Sequence, residues 1–238
     1  ARRYSADISI GCDCCGLMTP WLALQQQYGA RAQLAFASDT DDKVQKYVQE
    51  HYKPTRWWSN ILHRDNRDPG TPSVRVYTAG FPCQPFSTSG SRKGLVDVRS
   101  NVFFACVAYI EVKRPDVFIL ENVVGLITHN AGETYDIVRR ALSAIGDGNY
   151  SIEEKLLNTE DFGIPQHRER LYFVGRRLEA IHAQLLWPRP VARQSLEGFL
   201  DPVEVKPKPQ GFHNDTSLNK VQKIRIGEAE SALRNRGH

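Results

Sequence analysis

Residues 32–52 read AQLAFASDTDDKVQKYVQEHY. The opening AQLAFASD (32–39) is a short apolar run ending in an acid, the pattern of a buried strand. With TDDKVQKYVQEHY (40–52) the spacing becomes helical, and acids fill the first turn, where they complement the helix dipole. A strand leading straight into a helix is half of a βαβ unit, and the same alternation runs in both directions from here. Upstream, ADISIG (6–11) reads as a strand. PWLALQQQYG (20–29) reads as a helix, with Pro20 in its first turn and Gly29 at its C-terminal cap. Downstream come a strand VRVYTAG (74–80), a helix at about 100–113, and a strand DVFILEN (116–122). A helix at about 133–145 and the strands SIEEKLLN (151–158) and RLYFVGR (170–176) complete the series. This order predicts an α/β fold with a Rossmann-like, doubly wound and mostly parallel sheet. Ligands of such sheets bind beyond the C-terminal strand ends. Asp39, Cys83, Glu121 and Asn122 all fall there.

The 238-residue chain is 41% hydrophobic and 24% charged, which suits one sizeable α/β domain with an appendage. No apolar run approaches the roughly 20 residues of a membrane helix, and no secretory signal pattern opens the chain. An intracellular protein with no membrane partner is therefore expected. The five cysteines, Cys12, Cys14, Cys15, Cys83 and Cys106, are an odd number and are expected to be free thiols. Cys12, Cys14 and Cys15 cluster, but no second ligand pair accompanies them, so no metal is expected. The net charge of +4 permits a nucleic-acid partner without demanding one. After residue 187 proline and polar residues dominate, which reads as a linker or extended arm.

Three stretches carry chemistry. AGFPCQPFSTSG (79–90) presents Cys83 on a polar loop stiffened by Pro82 and Pro85. A thiol placed there, beside a ligand crevice, is a nucleophile candidate rather than a core residue. FILENVVGLI (118–127) ends a buried strand with Glu121 and Asn122, and a carboxyl group with a raised pKa can donate a proton to a ring nitrogen. In FGIPQHRERLYFVG (162–175), Arg168 and Arg170 share one strand parity and can face one ligand.

PCQPFS, ENV and QHRER, in that order, resemble the C5-cytosine methyltransferase family over roughly residues 6–190. The resemblance implies a class I methyltransferase-like sheet and methylation of cytosine C5 in double-stranded DNA. S-adenosylmethionine would be the methyl donor, and the target base would be flipped out of the duplex. It implies Cys83 as the nucleophile and Glu121 and Arg170 as the groups that hold the base, with Arg168, Gln84 and Ser87 beside them. Phe81, Asn122 and Arg99 would contact the substrate. The donor would lie against Gly11, Cys12, Gly16, Leu17, Asp39, Thr40, Asn60, Ile61, Gly80 and Pro82. Asp39 fits the acid that grips ribose hydroxyls, its competing role being to cap helix 40–52. A mobile loop at about 81–100 would close over the base.

The chain also departs from the family. ISIGCDCCGLMTP replaces a compact F-x-G-x-G turn, and Asn60 stands where an aspartate is expected at the adenine amino group. Residues 1–190 are expected to form the catalytic domain and 191–238 a linker and the start of a recognition region that the chain does not complete. The expected protein is monomeric, and nuclear in a eukaryote or in the cytoplasm or nucleoid in a bacterial or viral setting. The alternatives are an RNA cytosine-5 methyltransferase of the same fold and a catalytically incomplete binding module.

Overall fold

A computed structural model describes residues 7–82 and 102–199. Seven strands form one sheet: β1 (Ile8–Asp13), β2 (Ala32–Ser38), β3 (Arg56–Trp58), β4 (Val76–Ala79), β5 (Val117–Val123), β6 (Tyr150–Asn158) and β7 (Glu169–Arg177). Their order is β3-β2-β1-β4-β5-β7-β6. The first five are parallel, and β7 runs antiparallel to both β5 and β6. The helices are α1 (Thr19–Tyr28), α2 (Asp42–His51), α3 (Val102–Lys113) and α4 (Glu133–Ala144). Two separate core clusters form the layers. One joins the sheet to Phe103, Cys106, Tyr109 and Ile110 of α3 and Val138 and Leu142 of α4. The other joins it to Trp21 of α1 and Val48 of α2. The expected doubly wound, mostly parallel sheet is the one that forms. The chain divides into a compact unit Ala1–Gln194 and a second unit Ser195–His238, whose described residues end in a 3-10 turn at Leu196–Phe199.

β3 is an element that the sequence reading omits, since three residues are too few to show a period. The start of α2 also differs. Asp41, not Asp39, caps it by accepting from the Lys43 and Val44 amides at 2.7 and 3.4 Å.

At the C-terminal edge of the parallel strands a buried ion pair ties four segments together. Asp13 accepts from Arg64 Nη1 and Nη2 at 2.8 and 2.7 Å, from Ser38 Oγ at 2.7 Å and from Tyr77 Oη at 2.6 Å. The Arg64 guanidinium lies over the rings of Tyr109, Phe36 and Trp58, 4.7–5.3 Å from their centroids. Burial opposes the charge of Arg64, but the adjoining Asp13 carboxylate prevails and raises its pKa.

Gly11 corrects a sequence expectation. Assigned above to the donor, it lies inside β1 opposite Phe36, where a Cβ would come within 2.1 Å of the ring. Phe36 cannot give way, because Tyr109 and Trp58 pack its ring at 5.2 and 5.6 Å. Gly175 meets Phe118 in the same way across β7 and β5. Gly11→Ala is expected to cost about 1–3 kcal/mol through overpacking. Urea titration would measure it, and combining it with Phe36→Leu should cost less than the sum of the two single losses.

The opposite edge of the sheet holds Asp116 between Arg75 and Arg177 at 2.8 and 2.6 Å. Burial pushes the Asp116 pKa up, but hydrogen bonds from the two arginines outweigh it and leave the group below its ordinary value. A carboxyl depressed in the folded state contributes stability above its unfolded pKa of about 3.9 and loses it as pH falls through the folded value. Asp116→Asn should therefore shrink the stability lost between pH 7 and pH 3. Equal losses in the two proteins, by denaturant titration at each pH, would contradict this.

Candidate active site

Beyond Asp13 the chain leaves β1 through Cys14–Met18, with Cys14, Gly16 and Met18 at φ 49°, 47° and 63°. Left-handed backbone is unfavourable for a side-chain-bearing residue, so the turn must be held from outside. Cys15 N donates to Ser38 O at 2.9 Å, and Gly16 N donates to Asp39 Oδ2 at 3.0 Å. Asp39 Oδ1 accepts from the Asp41 amide at 3.1 Å. Relieved of capping, Asp39 thus braces the turn after β1 against the turn after β2. Thr40 and Leu17 are exposed beside it.

The other residues expected at the donor separate into two groups. Cys12 belongs to the strand, and burial, with Asp13 beside it, pushes its thiol up to about 12. It is a core residue, not a donor contact. Ile61 turns into the main core, whereas Asn60 caps the 3-10 turn Ile61–His63 by accepting from Leu62 N at 2.9 Å. A carbonyl oxygen has two lone pairs, so Asn60 can accept a second bond. Gly80 and Pro82 are exposed after β4.

Because β7 is antiparallel, its N-terminal end lies beside the C-terminal end of β5, with Val123 opposite Arg170 and Glu121 opposite Tyr172. This register explains how residues 47–49 positions apart in sequence meet, and the shared parity of Arg168 and Arg170 turns both toward one carboxylate. Glu121 Oε1 lies 2.9 Å from Arg170 Nε and 3.9 Å from Arg168 Nη2. Arg170 Nη1 also donates to the Glu169 carbonyl at 2.7 Å. Burial, then the Glu121 charge, raises the pKa of Tyr172 next to this group. A Cβ built on Gly80 would stand 3.4 Å from Glu121 Oε2 and 3.7 Å from the Cys14 carbonyl oxygen. Glycine there keeps a small gap between the turn after β1 and the carboxylate of β5.

Phe81 and Asn122, expected to contact substrate, take other positions. The Phe81 ring packs in the core against Phe103, with centroids 5.0 Å apart. Asn122 is 2% exposed, donates to the Phe81 carbonyl at 2.8 Å and accepts from Val123 N at 2.8 Å. Alternation along β5 sends Glu121 to the open face and Asn122 to the buried one. Cys83, Gln84, Ser87 and Arg99 lie outside the described residues, as does nearly all of the loop expected at 81–100 and everything after Phe199.

The other four cysteines are free. Burial, with Asp13 and Asp39 near, pushes Cys14 up to about 12, and burial also raises Cys15 and Cys106. Such thiols stay protonated near neutral pH and are poor nucleophiles. Among the described residues no group of three acidic, cysteine or histidine side chains could hold a metal ion. No helix among them is long and apolar enough to cross a membrane. Sequence reasoning missed Asp13 and Arg64, and nothing in their spacing links residues 51 apart.

Five parallel strands closed by an antiparallel β7, with a braced acid after β2 and a carboxylate–arginine group where the ends of β5 and β7 meet, define a class I methyltransferase fold. The chain belongs to the C-5 cytosine-specific DNA methylase family, whose model matches residues 14–228. The type II methyltransferase M.HaeII of Haemophilus aegyptius is 40% identical over 192 residues, covering 79% of this chain and 57% of that protein. For M.NgoBI of Neisseria gonorrhoeae the identity is 35% over 186 residues, covering 78% and 56%. The chain thus spans a little over half the length of these relatives. The S. pombe Dnmt2 methyltransferase crystal structure shares the fold, with a TM-score of 0.56, 24% identity and coverage of 76% of this chain and 53% of that one. So does the Entamoeba histolytica methyltransferase EhMeth, with a TM-score of 0.59, 15% identity and coverage of 84% and 61%.

Asn122→Ala is expected to leave the Phe81 carbonyl buried without a donor and to cost about 1–3 kcal/mol. A loss below about 0.5 kcal/mol in urea titration, under the net worth of an ordinary hydrogen bond, would show that the carbonyl finds another partner.

Proposed function

We propose that this chain carries the catalytic part of a DNA (cytosine-5-)-methyltransferase that uses S-adenosylmethionine and works through a covalent Cys83 adduct. Residues 1–190 would be the catalytic domain, and the region from 191 would lead toward recognition of the duplex. The observation that carries this reading is the gap over Gly80, with the turn after β1 on one side and Glu121 and Arg170 on the other. Methyl transfer needs such a junction, where a donor site and a base site share one boundary.

The described residues fit the donor. Asp39 supplies a carboxylate for ribose hydroxyls after β2, and Asn60 supplies an amide oxygen for the adenine amino group after β3. The turn 14–18 leads into the N-terminus of α1, where main-chain amides favour a carboxylate. Bound there, S-adenosylmethionine supplies an electrophilic methyl group.

On the base side, Cys83 adds through sulfur to C6 of the flipped cytosine, so that C5 becomes an enamine carbon able to take the methyl group. Glu121 donates a proton at N3 and holds the exocyclic amine, and Arg170 binds O2 while its Nε stays on Glu121. A solvent base then takes the C5 proton, the C5–C6 double bond re-forms as the C6–S bond breaks and the Cys83 thiolate leaves, and the N3 proton returns to Glu121. The choice of Cys83 is supported by elimination, since burial keeps the thiols of Cys12, Cys14, Cys15 and Cys106 protonated.

DNA containing 5-fluorocytosine is expected to trap an adduct that survives denaturation, because fluorine cannot leave as the C5 proton does. Cys83→Ser should abolish that adduct, and a matched transfer RNA should yield none. An equal yield in the serine variant would reject the nucleophile, and trapping on RNA alone would reject the substrate.

A further inference from the structure

The four hydrogen bonds to Asp13 come from segments that each lead into one side of the donor crevice. Asp13 itself is the last residue of β1, directly before the turn 14–18. Ser38 is the last residue of β2, directly before Asp39. Arg64 follows the 3-10 turn that Asn60 caps. Tyr77 lies in β4, which leads to Gly80. Each carboxylate oxygen takes two bonds, Oδ1 from Ser38 and Arg64 and Oδ2 from Arg64 and Tyr77. The side chains of Arg64 and Asp13 are 1% and 0% exposed, so no ligand reaches either directly.

We propose that Asp13 is a positioning residue for the methyl donor, setting the spacing of the turns after β1, β2, β3 and β4 from behind the crevice. This rests on the donor reading given above. Net stability is a poor reason for such a cluster, because a buried ion pair roughly breaks even against apolar residues of the same volume. Its distinctive property is angular. A bidentate arginine–carboxylate pair fixes distance and orientation together, and binding groups carried on turns need support that locks their geometry. The left-handed turn at Cys14, Gly16 and Met18 is a segment in need of that support. The path to the ribose is short. Asp13 holds Ser38, Ser38 O accepts from Cys15 N, and Asp39 accepts from Gly16 N.

The test is calorimetric binding of S-adenosylmethionine to the 238-residue chain. Removing Asp13 would leave Arg64 buried and unpaired and could unfold the protein, so the informative variants are milder. Ser38→Ala and Tyr77→Phe each delete one bond to Asp13 and keep the ion pair. Tyr77→Phe also keeps the ring stack on Tyr109, at 4.6 Å between centroids. Each is expected to raise the donor Kd about three- to tenfold, up to the scale of one charge-assisted hydrogen bond. Ser38→Ala combined with Asp39→Ala should weaken binding by less than the sum of the two single losses, since Ser38 acts partly through the placement of Asp39. Asp116→Asn, which breaks ion pairs at the far edge of the sheet, should leave the donor Kd unchanged.

A donor Kd within twofold of wild type in both Ser38→Ala and Tyr77→Phe would overturn the proposal and leave the donor reading intact. Fully additive losses in the double variant, or an equal weakening in Asp116→Asn, would also overturn it, because either describes general destabilisation. Absence of S-adenosylmethionine binding by the wild-type chain would overturn the donor reading and this proposal with it.

Discussion

A carboxylate and a guanidinium removed from water must satisfy each other, and that demand organises the β1–β4 side of the sheet. Asp13 and Arg64 do so with two parallel hydrogen bonds, and the lone pairs left on Asp13 are taken by Ser38 and Tyr77. Stacking of Arg64 on Tyr109, Phe36 and Trp58 extends the constraint into the aromatic core. Burial, with the Asp13 charge next in importance, raises the pKa of Tyr77 and keeps its phenol a donor. Strands β1, β2 and β4 and the segment after β3 are therefore fixed relative to one another at the edge where a ligand would sit.

The β5–β7 side depends on a different device, the reversed strand. If β7 were parallel to β5, its N-terminal residues would lie at the Asp116 edge of the sheet. Antiparallel pairing carries Arg168 and Arg170 to Glu121 instead. Gly175 allows this close pairing by making room for the Phe118 ring. The two halves approach each other over Gly80, where a side chain would occupy the gap.

Much of this was legible in the sequence, for reasons that are local. Periodicity located six strands and four helices with ends displaced by a few residues, since burial alternates along the chain itself. Parity brought Arg168 and Arg170 to one face, and the acid ending the second strand stood out as Asp39. What could not be read depends on contacts across strands. Gly11 looked like part of a ligand turn, but the strand runs two residues further and a register shift places Phe36 against it. Phe81 and Asn122 looked like substrate contacts because the motifs contain them, yet packing on Phe103 buries the first and alternation along β5 the second. β3 is too short to show a period, and the partnership of Asp13 with Arg64 exists only once the sheet has formed.

The bond from Asn122 to Phe81 has a mechanical meaning. Glu121 and Asn122 are consecutive residues of β5, so one stretch of main chain carries both the carboxylate and the amide. That amide grips the main chain at Phe81, and only Pro82 stands between the gripped carbonyl and Cys83. Proline has one backbone torsion already locked by its ring. The main chain leaving β4 is therefore fastened at Phe81 to the strand that bears Glu121. One side-chain hydrogen bond thus couples β5 to the chain leaving β4, so a shift of one strand end is passed directly to the other.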